Sequence, residues 1–347
     1  MADGVDRVSA DPAGSRRPLV EAPLVSVLVA CRDAAPWLGE ALASALGQTL
    51  DALEVVLVDD GSRDESPRIG EAFAARDGRL RLVRHPTSRG SAAARNTALG
   101  LACGRWIAVV DADDRMEPER LARLVATAER VGADWLADDQ WIEAEGTGWP
   151  PARLLLDEPA GASRLDVARF LDRDPPEAIG YGALKPLVRR AFLVRTGIRW
   201  RPEAGRSDDF LFTLDCLAAG AACWLVNEPL YRYRLRPGSQ VTSLAGSATL
   251  DHQLAIQGSA ERILEGASAE VRSALARRRR RIEAARRYRA AIEAVRAGAA
   301  DRLLGLLARD PAVLALLARG LGEAARVRLS GRRVPTLANR RLFHADA

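Results

Sequence analysis

With 347 residues, 48% of them hydrophobic and 28% charged, the chain can form one sizeable α/β domain and an accessory region. Its net charge of +5 is uneven: residues 246–347 hold 20 Arg against 10 Asp and Glu, leaving residues 1–245 at −5. No apolar run approaches the ~18 residues of a membrane span. The first 22 residues lack the apolar core of a secretory signal, so the cytoplasm is the expected compartment. Cys31, Cys103, Cys216 and Cys223 show no paired spacing and are expected to be free thiols; the three scattered histidines argue against a zinc site or a catalytic triad. Lys185 is the only lysine among 51 basic residues, so Arg abundance by itself carries little information.

In chain order, Leu24–Ala30 is apolar and β-branched between Pro23 and the polar Arg32-Asp33, and reads as a first strand. Trp37–Leu50 carries Leu38, Leu42 and Leu46 at helical spacing and is expected to end near Gly47. Glu54–Val58 is a second strand closed by Asp59-Asp60-Gly61-Ser62, with Ser62 or Asp64 as cap for a helix through Ala75. Leu80–Val83 reads as a third strand, Ser91–Leu101 as a small-residue helix, and Arg105–Val110 as a fourth, buried strand. From 115 to 180 the pattern weakens to a helix over Pro118–Arg130, a short strand over Asp134–Ala137 and a loop from Gly146 to Gly161. Regular structure returns over Lys185–Trp200, then a helix over Asp209–Ala219 and two strands, Ala222–Val226 and Leu230–Arg234. Beyond about 245 the chain is Ala-, Leu- and Arg-rich and reads as helical, with an unbroken basic run Arg277–Arg281. Leucine clusters either side of Asp310-Pro311 suggest a helical hairpin or a broken amphipathic helix; no internal repeat is visible.

Strands alternating with helices of about a dozen residues predict an α/β fold with a mostly parallel sheet covered on both faces. Polar clusters end the early strands (Arg32-Asp33, Asp59-Asp60, 85–90 and 111–114) and should converge on one sheet edge, where such sheets bind nucleotides. Three regions follow: a polar tail over 1–22, a domain over 23–245 and an Arg/Leu-rich helical region over 246–347.

Asp111-Ala112-Asp113-Asp114 follows the fourth strand. Asp111 and Asp113 are two apart, so both carboxylates can reach one hard divalent cation and the phosphate oxygens it carries. The same run, followed by Glu117-Pro118-Glu119, also suits a turn into a helix N-terminus. Taken alone, the stretch supports both readings.

The order of several segments adds more. Pro23–Val29, Gln48-Thr49-Leu50, Glu54–Ser62 with Asp64, Gly90 with Ala94–Leu99, Asp111–Asp114, and Pro118–Leu121 occur in the order and spacing of one family. Over residues 23 to about 243 the chain resembles a bacterial family 2 glycosyltransferase. Lys185–Leu193 with Gly197–Trp200 resembles the segment before the catalytic base in polysaccharide-assembling members. Tyr231–Arg234, with Arg236–Ser239 and Val241-Thr242, resembles the segment that closes their catalytic domain.

The resemblance implies a GT-A fold with a C-terminal helical extension. It implies an inverting, metal-dependent transfer from a nucleotide-sugar donor, a UDP-sugar first, to a saccharide or lipid-linked saccharide of an exopolysaccharide or surface glycan. Mn²⁺ or Mg²⁺ would be held by Asp113 with Asp111 nearby. Asp60 would accept a hydrogen bond from the nucleobase, a turn aspartate beside Gly61 being the plain alternative. Arg95 would balance phosphate charge or be a solvated helix arginine, and Asp33, ending the first strand, joins the donor-binding set. Ser207–Phe212 resembles the family's acidic pair before an apolar helix, which makes Asp209 the base and puts Asp208 in the Glu position. A helix-capping aspartate pair is the alternative, and both can hold at once. Lys185 and Asp208 would touch acceptor or phosphate, a structural or solvated role being the alternative for Lys185.

Two departures shape the expectation. Ala30, Arg32 and Asp33 stand where the family commonly has Pro, Tyr and Asn, so a tyrosine stacked on the nucleobase is absent. Processive members carry Gln-x-x-Arg-Trp after the base, whereas Arg199-Trp200 lies before Asp209 with Thr196 in the Gln position. Single-sugar transfer is therefore expected. For the basic region, packing against the domain or a second subunit ranks first, an anionic membrane surface second, and nucleic acid last. The rivals are a sugar nucleotidyltransferase, which lacks its phosphate loop in Ala30–Ala35, and a catalytically silent scaffold of the same fold.

Overall fold

The computed structural model describes residues 22–146, 150–155, 157–176, 179–236, 247–309 and 313–314. The expected tail up to residue 21, the Gly238–Thr242 part of the closing motif, and Leu316-Leu317 of the expected hairpin lie outside them.

One ten-stranded sheet carries the fold. Its first half comprises β1 (Val25–Cys31), α1 (Ala35–Leu46), β2 (Leu53–Asp59), α2 (Ser66–Arg76), β3 (Leu80–Arg84), α3 (Ser91–Leu101) and β4 (Trp106–Asp111). The four strands are parallel in the order β3-β2-β1-β4. β2 is buried throughout and β1 at all but Ala30, which explains their unbroken apolar runs. Successive side chains leave on opposite faces: Val25, Val27 and Val29 enter one core, Leu28 the other. At the start of this layer Ser26 Oγ donates to Glu54 Oε1 at 2.6 Å, so the buried glutamate is not left unpaired.

The second half comprises β5 (Arg115–Met116), α4 (Arg120–Val131), β6 (Trp135–Ala144), β7 (Ala152–Arg153), β8 (Ala162–Arg164), α5 (Val167–Asp172), β9 (Leu187–Arg189), α6 (Arg190–Thr196), α7 (Asp208–Ala218) and β10 (Cys223–Leu235). β9 runs antiparallel between β4 and β6, whereas β6 and β10 are parallel. Six strands thus run one way, with β9 inserted antiparallel among them and the short β5, β7 and β8 also pairing antiparallel, so the sheet is more mixed than expected.

Three local expectations are corrected. β6 is ten residues long, not four, because its continuation is polar but buried. Asp138 receives the Arg120 guanidinium at 2.8 Å and Asp139 that of Arg153 at 2.6 Å, so charge pairing substitutes for apolar burial. The two strands expected over 222–234 are one, β10, interrupted by register shifts around Pro229, which has no N–H for the ladder. Of the two caps expected for α2, Ser62 instead accepts the Asp33 amide at 3.0 Å, while Asp64 accepts the amides of Ser66, where the helix begins, and Ala35, both at 2.9 Å.

The C-terminal region forms α8 (Ser247–Ile263), α9 (Ala269–Arg296) and α10 (Ala300–Arg309). α9 packs on α5 and α8 on α7. Four of the five arginines of the basic run are spent in this packing. Arg277 pairs with Asp172 at 2.6 Å, Arg279 with Glu261 at 2.5 Å, and Arg281 donates to the Leu171 and Asp172 carbonyls. Arg278 is buried, 2.9 Å from Asp174 and 4.3 Å above the Phe210 ring. All four cysteines are free thiols. Among the described residues no helix is long and apolar enough to cross a membrane.

Candidate active site

The C-terminal ends of β1, β2 and β4 open into a cavity of about 340 Å³. Asp60, Arg95, Asp111, Asp113, Lys185 and Asp209 all line it, although they span 150 residues of sequence. The sheet explains the convergence. Asp111 ends β4, and the antiparallel register that pairs Ala108 with Leu187 carries Lys185 toward that same end.

Lys185 is 3% exposed and its Nζ lies 2.8 Å from Asp111 Oδ2 and 2.6 Å from Asp209 Oδ2. Burial pushes its pKa down, but the two carboxylates outweigh this and raise it well above the usual lysine value. Arg95 makes a second bridge, to Asp111 Oδ1 at 2.7 Å, Asp208 Oδ2 at 2.9 Å and Asp209 Oδ1 at 3.1 Å. It is therefore a buried member of the cluster, not a solvated helix arginine. Against the cost of burial, Lys185 and Arg95 hold the Asp111 carboxyl far below the usual carboxylate range. Asp208 goes the other way: burial raises its pKa, with Arg95 opposing. Formally, three carboxylates face two cations.

The Asp208-Asp209 pair opens α7. The Asp209 amide at the start of α7 donates to Asp208 Oδ1 at 2.8 Å, and Ser91 Oγ donates to Asp208 Oδ2 at 2.9 Å. Asp209 itself faces the cavity, its Oδ1 receiving the Trp200 indole N–H at 3.1 Å. Trp200 is in turn stacked on Phe212 at 4.0 Å, and Asn96 grips its backbone from both sides. In the sequence Trp200 ended the segment before the acidic pair and marked the departure from a processive motif; the fold sets its indole on Asp209.

The acidic run after β4 divides its labour. Asp114 is buried, accepting from Tyr231 Oη at 2.7 Å and the Arg234 amide at 2.8 Å. Burial and the charges of Asp111 and Asp113 push its pKa well up. The same Tyr231 hydroxyl accepts the Asp111 amide at 3.1 Å, so one phenol fixes both ends of the turn. Asp113 faces the cavity and pairs with Arg236 at 2.8 Å.

Asp60 is 2% exposed and its two oxygens are heavily used. Oδ1 meets His85 Nδ1 at 2.7 Å, Oδ2 accepts from Ser88 Oγ at 2.7 Å and Gly90 N at 2.8 Å, and Arg89 N reaches both. Burial would raise its pKa, yet these bonds outweigh it and lower the value. Gly61, at φ +70°, lets the turn come so close that a Cβ would lie 2.9 Å from Ser88 N. Asp60 thus clamps the 85–90 loop that forms one cavity wall. Asp60→Asn is expected to cost about 1.5–3 kcal/mol of stability, the range for bonds to a charged acceptor. Denaturation midpoints check this; no change would mean the clamp does not hold the wall.

Asp33 is not brought into the cavity. At φ +48° it turns its carboxylate to the Arg63 amide at 2.8 Å, tying the end of β1 to the turn after β2. Its neighbour Arg32 lines the cavity instead and donates to Ser88 Oγ at 2.6 Å. Arg206 and Arg278 also line the cavity, and nothing in the local sequence distinguishes them from the chain's many other arginines.

Comparison with known proteins places these features in context. A family model described as glycosyl transferase family 2 matches residues 26–174. The succinoglycan biosynthesis protein ExoO of Rhizobium meliloti (strain 1021) is 32% identical over 62% of this chain and 62% of its own length. ExoU of the same organism, also described as a succinoglycan biosynthesis protein, is 31% identical over 90% of this chain and 91% of its own. Among solved structures, S. aureus TarS 1–349 in complex with UDP-GlcNAc superposes with a TM-score of 0.56 at 19% identity, covering 81% of this chain and 90% of that one. The mannosyltransferase PcManGT from Pyrobaculum calidifontis, in complex with GDP-Man and Mn²⁺, gives 0.54 at 24% identity, covering 88% and 81%. At these identities the structures establish a shared fold.

Proposed function

Because this chain belongs to glycosyltransferase family 2 and is a nucleotide-sugar glycosyltransferase of GT-A fold, we propose that it is an inverting, non-processive enzyme of exopolysaccharide or surface-glycan assembly. The observation that carries this reading is the Lys185 ammonium, which touches Asp111 of the acidic turn and Asp209 of α7 at once. In this reading the donor-phosphate end and the acceptor base share one cavity wall.

In this reading Asp209, aimed by Trp200, takes the proton of the acceptor hydroxyl as its oxygen bonds to the anomeric carbon. The bond from that carbon to the donor's β-phosphate oxygen breaks on the opposite face, so the anomeric centre inverts. Arg95 sits where it can answer the charge of the departing diphosphate. Asp60 and the loop it holds form the nucleotide end, with Arg32 beside them in place of Asp33.

A hard divalent cation, Mn²⁺ or Mg²⁺, fits the donor set. Carboxylate oxygens of Asp111, Asp113 and Asp114 lie within 4.8 Å of one another, and the surrounding cluster formally holds one negative charge more than positive. Asp113 would hold the ion with Asp111 nearby, exchanging its bond to Arg236, while Asp114 stays committed to Tyr231. When bound there, the ion supplies neutralisation of the diphosphate leaving group. The acceptor in this reading is a lipid-linked saccharide met at the inner face of the plasma membrane. α10, which has no buried residue and leaves Leu304 64% exposed, is the element suited to that surface.

A thermal-shift panel of UDP, GDP, CDP and dTDP, each with and without Mn²⁺, tests the donor site. A nucleotide at a hundredfold excess over its Kd stabilises by about 2.7 kcal/mol, or roughly 5 °C here. One nucleotide, UDP first, is expected to give such a shift only with the metal. No shift from any of the four would overturn the reading.

A further inference from the structure

The basic side chains that line the cavity are nearly all matched by carboxylates. Arg95 and Lys185 share Asp111 and Asp209, Arg234 meets Glu40, Arg236 meets Asp113, and Arg278 meets Asp174. Arg32 lies 3.6 Å from Asp33. Arg206 is the exception. Its Nη2 is buried and makes no hydrogen bond among the described residues, and only burial acts on its pKa, lowering it. No described carboxylate contributes to it. The neighbouring His252 does not help: its Nε2 is engaged with Ser207 Oγ at 3.1 Å, and burial and Arg206 both keep its pKa low, so it stays neutral beside the cation.

Arg206 is half-buried, but its shielded Nη2 is costly to leave without an acceptor. The place of Arg206 says what can supply one. It lies on the 3-10 segment Pro202–Ser207 that leads directly into Asp208 and Asp209, and the wall beside it is closed by Thr249 and Gln253 of α8 and Arg278 of α9. The nucleotide end, by contrast, is built from the ends of β1, β2 and β4. An anion reaching Arg206 therefore arrives with the acceptor.

We infer that Arg206 is the anion-recognition residue of an acceptor subsite formed jointly by the Pro202–Ser207 segment and the C-terminal helices, and that the acceptor carries a negatively charged group close to the hydroxyl that reacts. The inference rests on the glycosyltransferase reading above. Two chemistries supply such a group: the diphosphate of a lipid-linked acceptor, or the carboxylate of an acidic sugar. Either takes the two-pronged hydrogen bonding that a guanidinium offers. The subsite also gives the helical region a task at the cavity besides packing, since without α8 and α9 that wall is missing.

The test uses the full chain saturated with its nucleotide and Mn²⁺, so that the donor end is filled. Titration calorimetry then compares farnesyl diphosphate with farnesol, and methyl glucuronide with methyl glucoside. One charged probe is expected to bind at least tenfold better than its neutral counterpart. Arg206→Gln should erase that preference, Arg206→Lys should keep part of it, and nucleotide affinity should stay unchanged in both. Which probe shows the preference identifies the source of the charge. The inference fails if neither charged probe is preferred, or if the preference survives in Arg206→Gln. It also fails if nucleotide affinity drops by the same factor, which would put Arg206 on the donor diphosphate. A wild type that binds no nucleotide would instead sink the glycosyltransferase reading itself.

Discussion

Asp209→Asn is expected to lower turnover by 10²- to 10⁴-fold, the range for removing a positioned general base, while leaving donor affinity within a few-fold of wild type. The carboxylate is the one acidic group of the cluster oriented by an indole N–H and turned to the cavity, so proton transfer from a bound hydroxyl is the step it serves. Asparagine keeps the shape and still offers an oxygen to Trp200, but it takes no proton at neutral pH. Donor binding should survive because Arg95 and Lys185 retain Asp111 and Asp208 as partners. Product formation under saturating donor, set beside calorimetric nucleotide binding, separates the two effects. Turnover within tenfold of wild type would make Asp208 the base and leave Asp209 a helix-start aspartate.

Lys185→Met should cost about 3–5 kcal/mol of stability, the range for stripping one partner from a buried ion pair, and should abolish turnover as well. The ammonium is 3% exposed and is the link between Asp111 and Asp209. Without it, two neighbouring, mostly buried carboxylates lose their shared counter-charge. The pH dependence follows from Asp111, whose folded pKa is held far below its unfolded value of about 4. Stability from such a group is present above the unfolded pKa and fades as pH falls through the folded one. The deficit of the variant should thus be full at pH 7 and narrow below about pH 4, as read from denaturant midpoints across pH. A deficit under 1 kcal/mol, or one that widens in acid, would refute the bridge. Lys185→Arg is expected to fold but to lose most turnover, because the longer planar fork cannot occupy the same point between the two oxygens.

Much of this protein was readable before its structure. Buried parallel strands need unbroken apolar residues, so β1, β2 and β4 announced themselves, and Ser91–Leu101 was placed to the residue because its small side chains allow close packing on the sheet. The polar ends of those strands located the cavity, since every parallel strand delivers its C-terminus to the same edge. Legibility failed where polarity was buried. Asp138, Asp139 and Gln140 belong to a core strand, but their partners Arg120 and Arg153 come from elsewhere in the chain, so the local pattern broke off early. Pro229 split β10 into two apparent strands for a similar reason: a register shift depends on the partner strand.

The chain by itself determined which chemistry was on offer: carboxylates at a strand end, an acidic pair before an apolar helix, and a single lysine. These rest on short-range spacing, which a strand or a helix start converts directly into shared direction. Only the tertiary structure decided which charges meet. It set Lys185 between Asp111 and Asp209, filled the oxygens of Asp60, turned Asp33 away, consumed most of the 277–281 arginine run in packing and left Arg206 Nη2 without a bond among the described residues. Coulomb energy in a buried site depends on separations of a few ångströms and on exclusion of water, and those are properties of the assembled fold.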